Sequence, residues 1–297
     1  AAVAKISGIS KQEGVKNVFV RGLGDRYNFT TLNRFPLPSE DPEYKNIALD
    51  FFSTDIIQSI DVNKAFYSNT PADAAGADIN ITSKELTGDG KLSVSVSGGF
   101  NTQTLSSDFM RMDGVNSFGF AGRTQPGTNL DTYNFRNSLD PSKQNLQINQ
   151  SYTISGGKRF RFGNDAFSFF LVASHNKDYT HYDEDVRNTT TTGTLTQDMN
   201  GDISKVKTSQ IAMANLEYSI NRKHSIAYNF MLVHSADESV GNYTGMDSKY
   251  ESSDTYEGFM RRQQVNDNML IVNQIDTKWR LGKMFGLDAG VAYNIIN

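Results

Sequence analysis

KLSVSVSGGF, residues 91–100, decides how the larger part of this chain folds. Leu92, Val94, Val96 and Phe100 alternate with Ser93, Ser95 and Ser97, so one face of an extended strand is apolar and the other small and polar. The same period of two returns downstream. Leu146, Ile148, Tyr152 and Ile154 share a face, as do Ala212, Ala214, Leu216, Tyr218 and Ile220, and then Ile226, Tyr228, Phe230 and Leu232. Met269, Ile271, Ile275, Thr277, Trp279 and Leu281 form another such set, followed by Phe285, Leu287, Ala289, Val291, Tyr293 and Ile295. Ala166 to Ser174 reads as a strand with less regular alternation. The pattern predicts about seven strands, each near the ~9–11 residues that cross a bilayer when tilted.

The connections alternate as well. Gly157 to Asp165, Asn221 to His224 and Gly282 to Met284 are short, whereas Thr104 to Asn145, Asp178 to Lys207 and His234 to Asn266 are long. Tight turns on one side and extended loops on the other mark an antiparallel membrane β-barrel, with the short turns periplasmic and the long loops outside. Seven strands do not close such a barrel, which uses an even number from ~8 upward, and a barrel that encloses a folded domain needs about 22. The chain also stops at Asn294 to Asn297, inside an apparent strand whose unpaired backbone hydrocarbon would not tolerate. Residues 87–297 are therefore read as the first part of a larger barrel.

Composition agrees with that class and excludes others. The 297 residues carry 29 basic and 33 acidic side chains, a net charge of -4, which offers no basic surface for nucleic acid. There is no cysteine, so neither a disulfide framework nor a thiolate zinc site is encoded, in keeping with an oxidising compartment. No run of ~18 apolar residues exists, but strands that alternate lipid-facing and lumen-facing residues stay polar on average, and the mean hydropathy is -0.49. Ala1 to Gly14 lacks the charged and apolar regions of a signal peptide.

Nothing in the sequence assembles a catalytic set or a cofactor loop. His175, His181, His224 and His234 are scattered, and no serine elbow occurs. Gly22-Leu23-Gly24-Asp25-Arg26-Tyr27 lacks the third glycine and the helix of a dinucleotide loop and reads as a turn. His181, Asp183, Glu184 and Asp185 would suit a hard cation, although a solvated acidic loop is the plainer reading. Asp198-Met199-Asn200-Gly201-Asp202 has its glycine too early for a calcium loop and is read as a turn. Trp279 and the tyrosines near strand ends suit a lipid-water boundary.

Upstream of this sheet, residues 1–86 read as an α+β unit. Short β-rich runs occur at Val18 to Val20, Ile60 to Val62 and Ile79 to Thr82, with a short helix expected over Phe52 to Gln58, where Thr54 and Asp55 sit near the start. VFVRGLGDRYNFTTLN, LPSEDPEY, LDFF, SIDVNKA and GADINITSK follow one another here, and together they resemble the plug-domain motifs of TonB-dependent outer-membrane receptors. One departure is Asn33-Arg34, where family members often carry Asn-Gly, the pair that suits the positive φ angles of a tight hairpin. AAVAKISGIS reads as the end of a helix, which implies that further plug residues and the partner-binding box lie upstream of this chain.

The resemblance implies a protein of the Gram-negative outer membrane, in contact with its lipid. It would import a scarce nutrient (siderophore, vitamin, glycan or peptide) when the periplasmic TonB protein pulls on the plug, without enzymatic chemistry and without a cofactor. The alternative is a plugged-barrel structural subunit of a larger envelope assembly, and a surface lipoprotein or other envelope protein would be a compatible partner in either case. Arg26, Tyr27, Asn28, Ser39, Glu40 and Asn69 would occupy the plug's outward tip and face the ligand. Arg21 and Lys64, at strand ends, would tie the plug to the barrel wall by polar contacts that shear more easily than an apolar core.

Overall fold

The structure, a computed structural model, describes residues 9–10, 19–40, 46–65, 70, 76–122, 138–249, 258–282 and 284–297. Two short strands, β1 (Ile9–Ser10) and β2 (Phe19–Val20), pair antiparallel. They precede β3 (Phe29–Leu32), β4 (Phe35–Pro36), β5 (Ile57–Asn63) and β6 (Asp78–Ser83), which form a four-stranded sheet in the order β4-β3-β6-β5, with β3 parallel to β6. Then come β7 (Gly90–Gly99), a short helix α1 (Thr102–Ser106) and the small pair β8 (Met110–Arg111) and β9 (Ser142–Lys143). The rest of the chain is β10 (Asn149–Phe162), β11 (Asp165–Thr189), β12 (Leu195–Ile220), β13 (His224–Asp247), β14 (Gly258–Leu281) and β15 (Phe285–Ile296).

These last six strands and β7 make one seven-stranded antiparallel meander, ordered β15-β14-β13-β12-β11-β10-β7. Tight turns enforce it. Phe162 pairs with Asp165 across a two-residue turn, and Ile220 pairs with His224 across a turn in which Asn221 and Arg222 take φ values of 50° and 57°. Among the described residues no helix is long and apolar enough to cross a membrane, which says nothing of strands.

The strands are far longer than their alternation predicts. β11 to β14 run 25, 26, 24 and 24 residues. The expected loops Asp178 to Lys207 and His234 to Asn266 are therefore mostly strand, and Asp198 to Asp202, expected as a turn, lies inside β12. Hydropathic alternation requires one apolar face. Past Asn176 and Gln210 neither face is regularly apolar, since only small clusters remain around Tyr179 and Val206 on one side and Met199 and Ile203 on the other, and the ladder of backbone hydrogen bonds continues without that signal.

The N-terminal unit differs locally too. Val18 lies outside the described residues. In place of the expected helix over Phe52 to Gln58, a single 3-10 turn spans Leu49–Phe51 and β5 starts at Ile57. Ser53 breaks the helix: its hydroxyl accepts from the Asp55 amide at 3.2 Å and donates to the Asp55 carboxylate at 3.0 Å, closing a local turn instead. The Asn33-Arg34 hairpin forms even without glycine, at φ 52° and 71°. A left-handed non-glycine residue costs roughly 1–2 kcal/mol, which the Arg34 amide offsets in part by donating to Asn80 Oδ1 at 2.8 Å.

Candidate functional site

The continuous register from β11 to β14 assigns each residue to one of two faces. Val172 pairs with Met213, Met213 with Met231 and Met231 with Val272, so all four project to the same side. They are buried there with Phe170, Ile211, Val233 and Leu270, in one cluster with Leu32, Ile47, Phe51, Phe52, Ile56, Ile81 and Leu86 of the N-terminal unit. This is the inner face. The intervening residues form an outer face on which Val94, Ile154, Leu171, Ile275 and Val291 are exposed, Val94 by 66% and Val291 by 62%. Each central strand is thus apolar on both sides over a short span. At the short-turn end the outer face carries Phe160, Phe162, Tyr218, Trp279 and Phe285.

Around the apolar stripe, polar groups tie the N-terminal unit to the inner wall. Gln274, fully buried, donates to the Leu32 carbonyl at 3.0 Å and accepts from Asn33 Nδ2 at 3.0 Å. Asn294 donates to the Pro36 carbonyl at 2.8 Å, Thr153 to Asp55 at 3.3 Å, and Lys207 pairs with Asp50 at 3.2 Å. Phe35 lies so close to the wall that a Cβ at Gly290 would sit 2.6 Å from its Cζ. The expectation that docking rests mainly on polar contacts is therefore corrected, because the wall beneath this unit is an apolar stripe and partly exposed pairs such as Lys207–Asp50 contribute little.

Arg21 and Lys64 are the wall residues expected from the sequence. Arg21 is exposed, at φ 53° in the turn closed by the reciprocal Val20 and Leu23 backbone bonds, and makes no ion pair among the described residues. Lys64 is half-buried just after β5. Of the six tip residues, Arg26 and Tyr27 are exposed on the 3-10 turn Asp25–Tyr27. Asn28 is fully buried, not outward-facing, and its carbonyl accepts from Asn46 Nδ2 at 2.7 Å. Ser39 donates to the Asn46 carbonyl at 3.3 Å, and the Glu40 carboxylate accepts from the Ala48 amide at 3.1 Å. Asn46 thus draws Asn28 and Ser39 together, Glu40 caps the neighbouring turn, and Arg26 and Tyr27 stay free to meet solvent. Asn69 lies outside the described residues.

Further along the strands the inner face carries a small buried cluster of Met199, Ile203 and Tyr243, joined by Tyr182, Val186 and Met260, with polar and charged groups among them. Lys205 lies over the Tyr182 ring at 4.9 Å, Tyr243 donates to Glu184 at 3.2 Å, and Arg262 donates to Gln264 at 2.9 Å. Such a wall can offer hydrogen bonds and charges of both signs to a molecule resting above the N-terminal unit.

Sequence reasoning also missed what the β7–β10 connection does. Its described residues fold over the outer face of the extended strands. Phe109 is buried against Tyr179 and Val206, and Phe120 stacks on His234 with centroids 4.0 Å apart. Glu238, almost wholly buried, receives the Arg111 guanidinium and, at 2.7 Å, the Met112 amide. His234 bonds Asp267 at 2.7 Å, and Asp267 accepts from the Ala121 amide at 2.9 Å. The Gln210 side chain bridges His234 and His175. These histidines are scattered in sequence and meet only through strand register. With no nucleophile in this network, its chemistry is anchoring.

The sequence matches no protein-family model and no curated protein. Among solved structures the chain is similar to the crystal structure of a mutant ferric enterobactin receptor from Pseudomonas aeruginosa, at 10% identity and a TM-score of 0.32, over 100% of this chain and 54% of that one. The chain thus spans about half the length of that receptor. So low a score and identity leave the functional reading to rest on this chain's own geometry.

Proposed function

We propose that the chain is part of an outer-membrane β-barrel transporter whose N-terminal unit plugs the barrel lumen and presents Arg26 and Tyr27 to an imported nutrient. The observation that carries this reading is the double apolar character of β11 to β14. One face is buried under a folded unit, and the alternate residues of the same strands form an opposite apolar face that is half-buried to exposed, with Leu171, Ile226 and Ile275 among the exposed ones. A water-filled lumen needs no apolar stripe, and a water-facing outer sheet would not keep an apolar band this wide. From Met269 to Trp279 the band is about 24 Å tall at the usual ~45° tilt, close to the ~25 Å of outer-membrane barrels. Trp279 and the phenylalanines at the short-turn end supply one aromatic girdle.

Orientation follows from the turns. The short connections face the periplasm, and the long β11–β12 and β13–β14 extensions stand outside the bilayer, where the polar and charged groups of their inner face receive ligand above the plug. Energy coupling through TonB would act on the plug from the periplasmic side, and import requires its displacement or local unfolding. Because the chain has no cysteine, single cysteines at Thr192 and Arg222 test the orientation in intact cells with an impermeant maleimide. Labelling at Thr192 alone is expected, and labelling at Arg222 alone would reverse the topology. Transport itself is tested by growth of cells with and without the protein on limiting siderophores, vitamins, glycans or peptides. Growth that never depends on the protein would leave it a structural subunit of the envelope.

A further inference from the structure

We propose that His181, Asp183 and Asp202 bind a divalent transition-metal ion on the outer side of the β11–β12 extension. Strand register places Asp183 directly opposite Asp202, and His181 on the same face one pair away, opposite Ser204. One donor atom from each of the three residues lies within 4.8 Å of the other two. His181 Nδ1 is 3.7 Å from Asp202 Oδ1, too far for a hydrogen bond but near the ~3.4 Å that separates two ligands of a tetrahedral ion with ~2.1 Å bonds.

Two further features point to a cation. His181 is 93% buried, being 7% exposed, and its Nδ1 has no hydrogen-bond partner, a costly state for a buried polar atom beside the Asp202 carboxylate. The Asp183 and Asp202 carboxylates stand opposed across an antiparallel pair, where like charges destabilise the ladder. Among the described residues neither forms an ion pair with lysine or arginine, and the negative charge of Asp108 also reaches Asp202. Lys143 is engaged with Asp108, and Arg187 with Asp198. An ion of charge +2 would neutralise the two carboxylates and bond the orphaned nitrogen at once.

The donor set selects the class of ion. Imidazole nitrogen suits zinc and its first-row neighbours, whereas calcium and magnesium prefer oxygen alone. Glu184, which the sequence grouped with these residues, points to the inner face and accepts from Tyr243. Asp185 is exposed and outside the set. Three protein ligands leave one position for water, and the bound ion would staple the two long strands together well beyond the bilayer.

The test is calorimetric titration of zinc chloride into the intact, chelator-stripped protein folded in detergent. One saturable equivalent is expected, weakened at least about tenfold in both His181→Ala and Asp202→Asn and unchanged in Asp185→Asn. Heat-modifiable gel migration reports folding of each variant, and if His181→Ala does not fold, the isosteric Asp183→Asn takes its place. Absence of saturable zinc binding, binding that survives both ligand substitutions, or calcium bound as tightly as zinc would overturn the proposal.

Discussion

Replacing Leu270 by alanine probes what holds the N-terminal unit to the sheet. Leu270 is fully buried in the inner stripe, paired with Val233 on one side and Ile296 on the other, in the cluster that includes Leu32 and Ile81 of the unit. The substitution removes three carbons, about 2.4 kcal/mol of transfer free energy at ~0.8 per carbon, and a residual cavity raises the cost to roughly 2.5–4 kcal/mol. Lys207→Met, by contrast, removes an ion pair whose side chains are 40% and 38% exposed, and such pairs contribute at most about 1 kcal/mol. Hydrogen exchange at the amides of Asp78–Ser83 reads the opening of the docked unit. Leu270→Ala should accelerate it at least ~60-fold and Lys207→Met no more than about fivefold, at 1.36 kcal/mol per factor of ten. Equal acceleration by the two variants, or none with Leu270→Ala, would refute the claim that the apolar stripe carries the docking.

Arginine at the outward Val94 or Tyr228 should cost ~2–4 kcal/mol near the bilayer midplane and far less at Ser95, measured by folding into lipid vesicles, whereas equal costs on both faces would contradict a lipid-facing band. Gly290→Ala should destabilise docking by roughly 1–3 kcal/mol, because the new methyl meets Phe35, and a double-mutant cycle with Phe35→Ala should recover only part of that loss, since the methyl would also lie 2.9 Å from the Ile275 carbonyl oxygen. Partial burial, and then the charges of Glu217 and Asp276, push the Glu85 carboxyl above its ordinary 4.5 while Lys278 pulls it down. The folded state then holds that proton more firmly than the unfolded one, so stability falls as pH rises from 4.5 through the folded value and is flat above it. Glu85→Gln should flatten this slope in urea midpoints measured from about pH 4 to 8, and an unchanged slope would assign it to another group.

The sequence by itself determined the strand count and their neighbour order. A period of two in KLSVSVSGGF and its successors needs only local side-chain direction, and turns such as Asn221-Arg222 leave a strand no partner but the one before it. The inner stripe lies in the runs Phe169 to Val172, Ile211 to Ala214, Phe230 to Val233 and Met269 to Val272, where apolar residues follow one another instead of alternating, and a reading by alternation alone passes over it. Only tertiary structure decided how far the strands run, because beyond the apolar band backbone pairing leaves only scattered apolar pairs such as Tyr182 with Ile203 and no regular alternation. It also decided which polar residues meet. Gln274 with Leu32, Arg111 with Glu238 and His181 with Asp202 are far apart in the chain or separated by a hairpin whose register must be known. A one-residue slip in that register would send every one of these side chains to the opposite face, and no local pattern in polar strands fixes it.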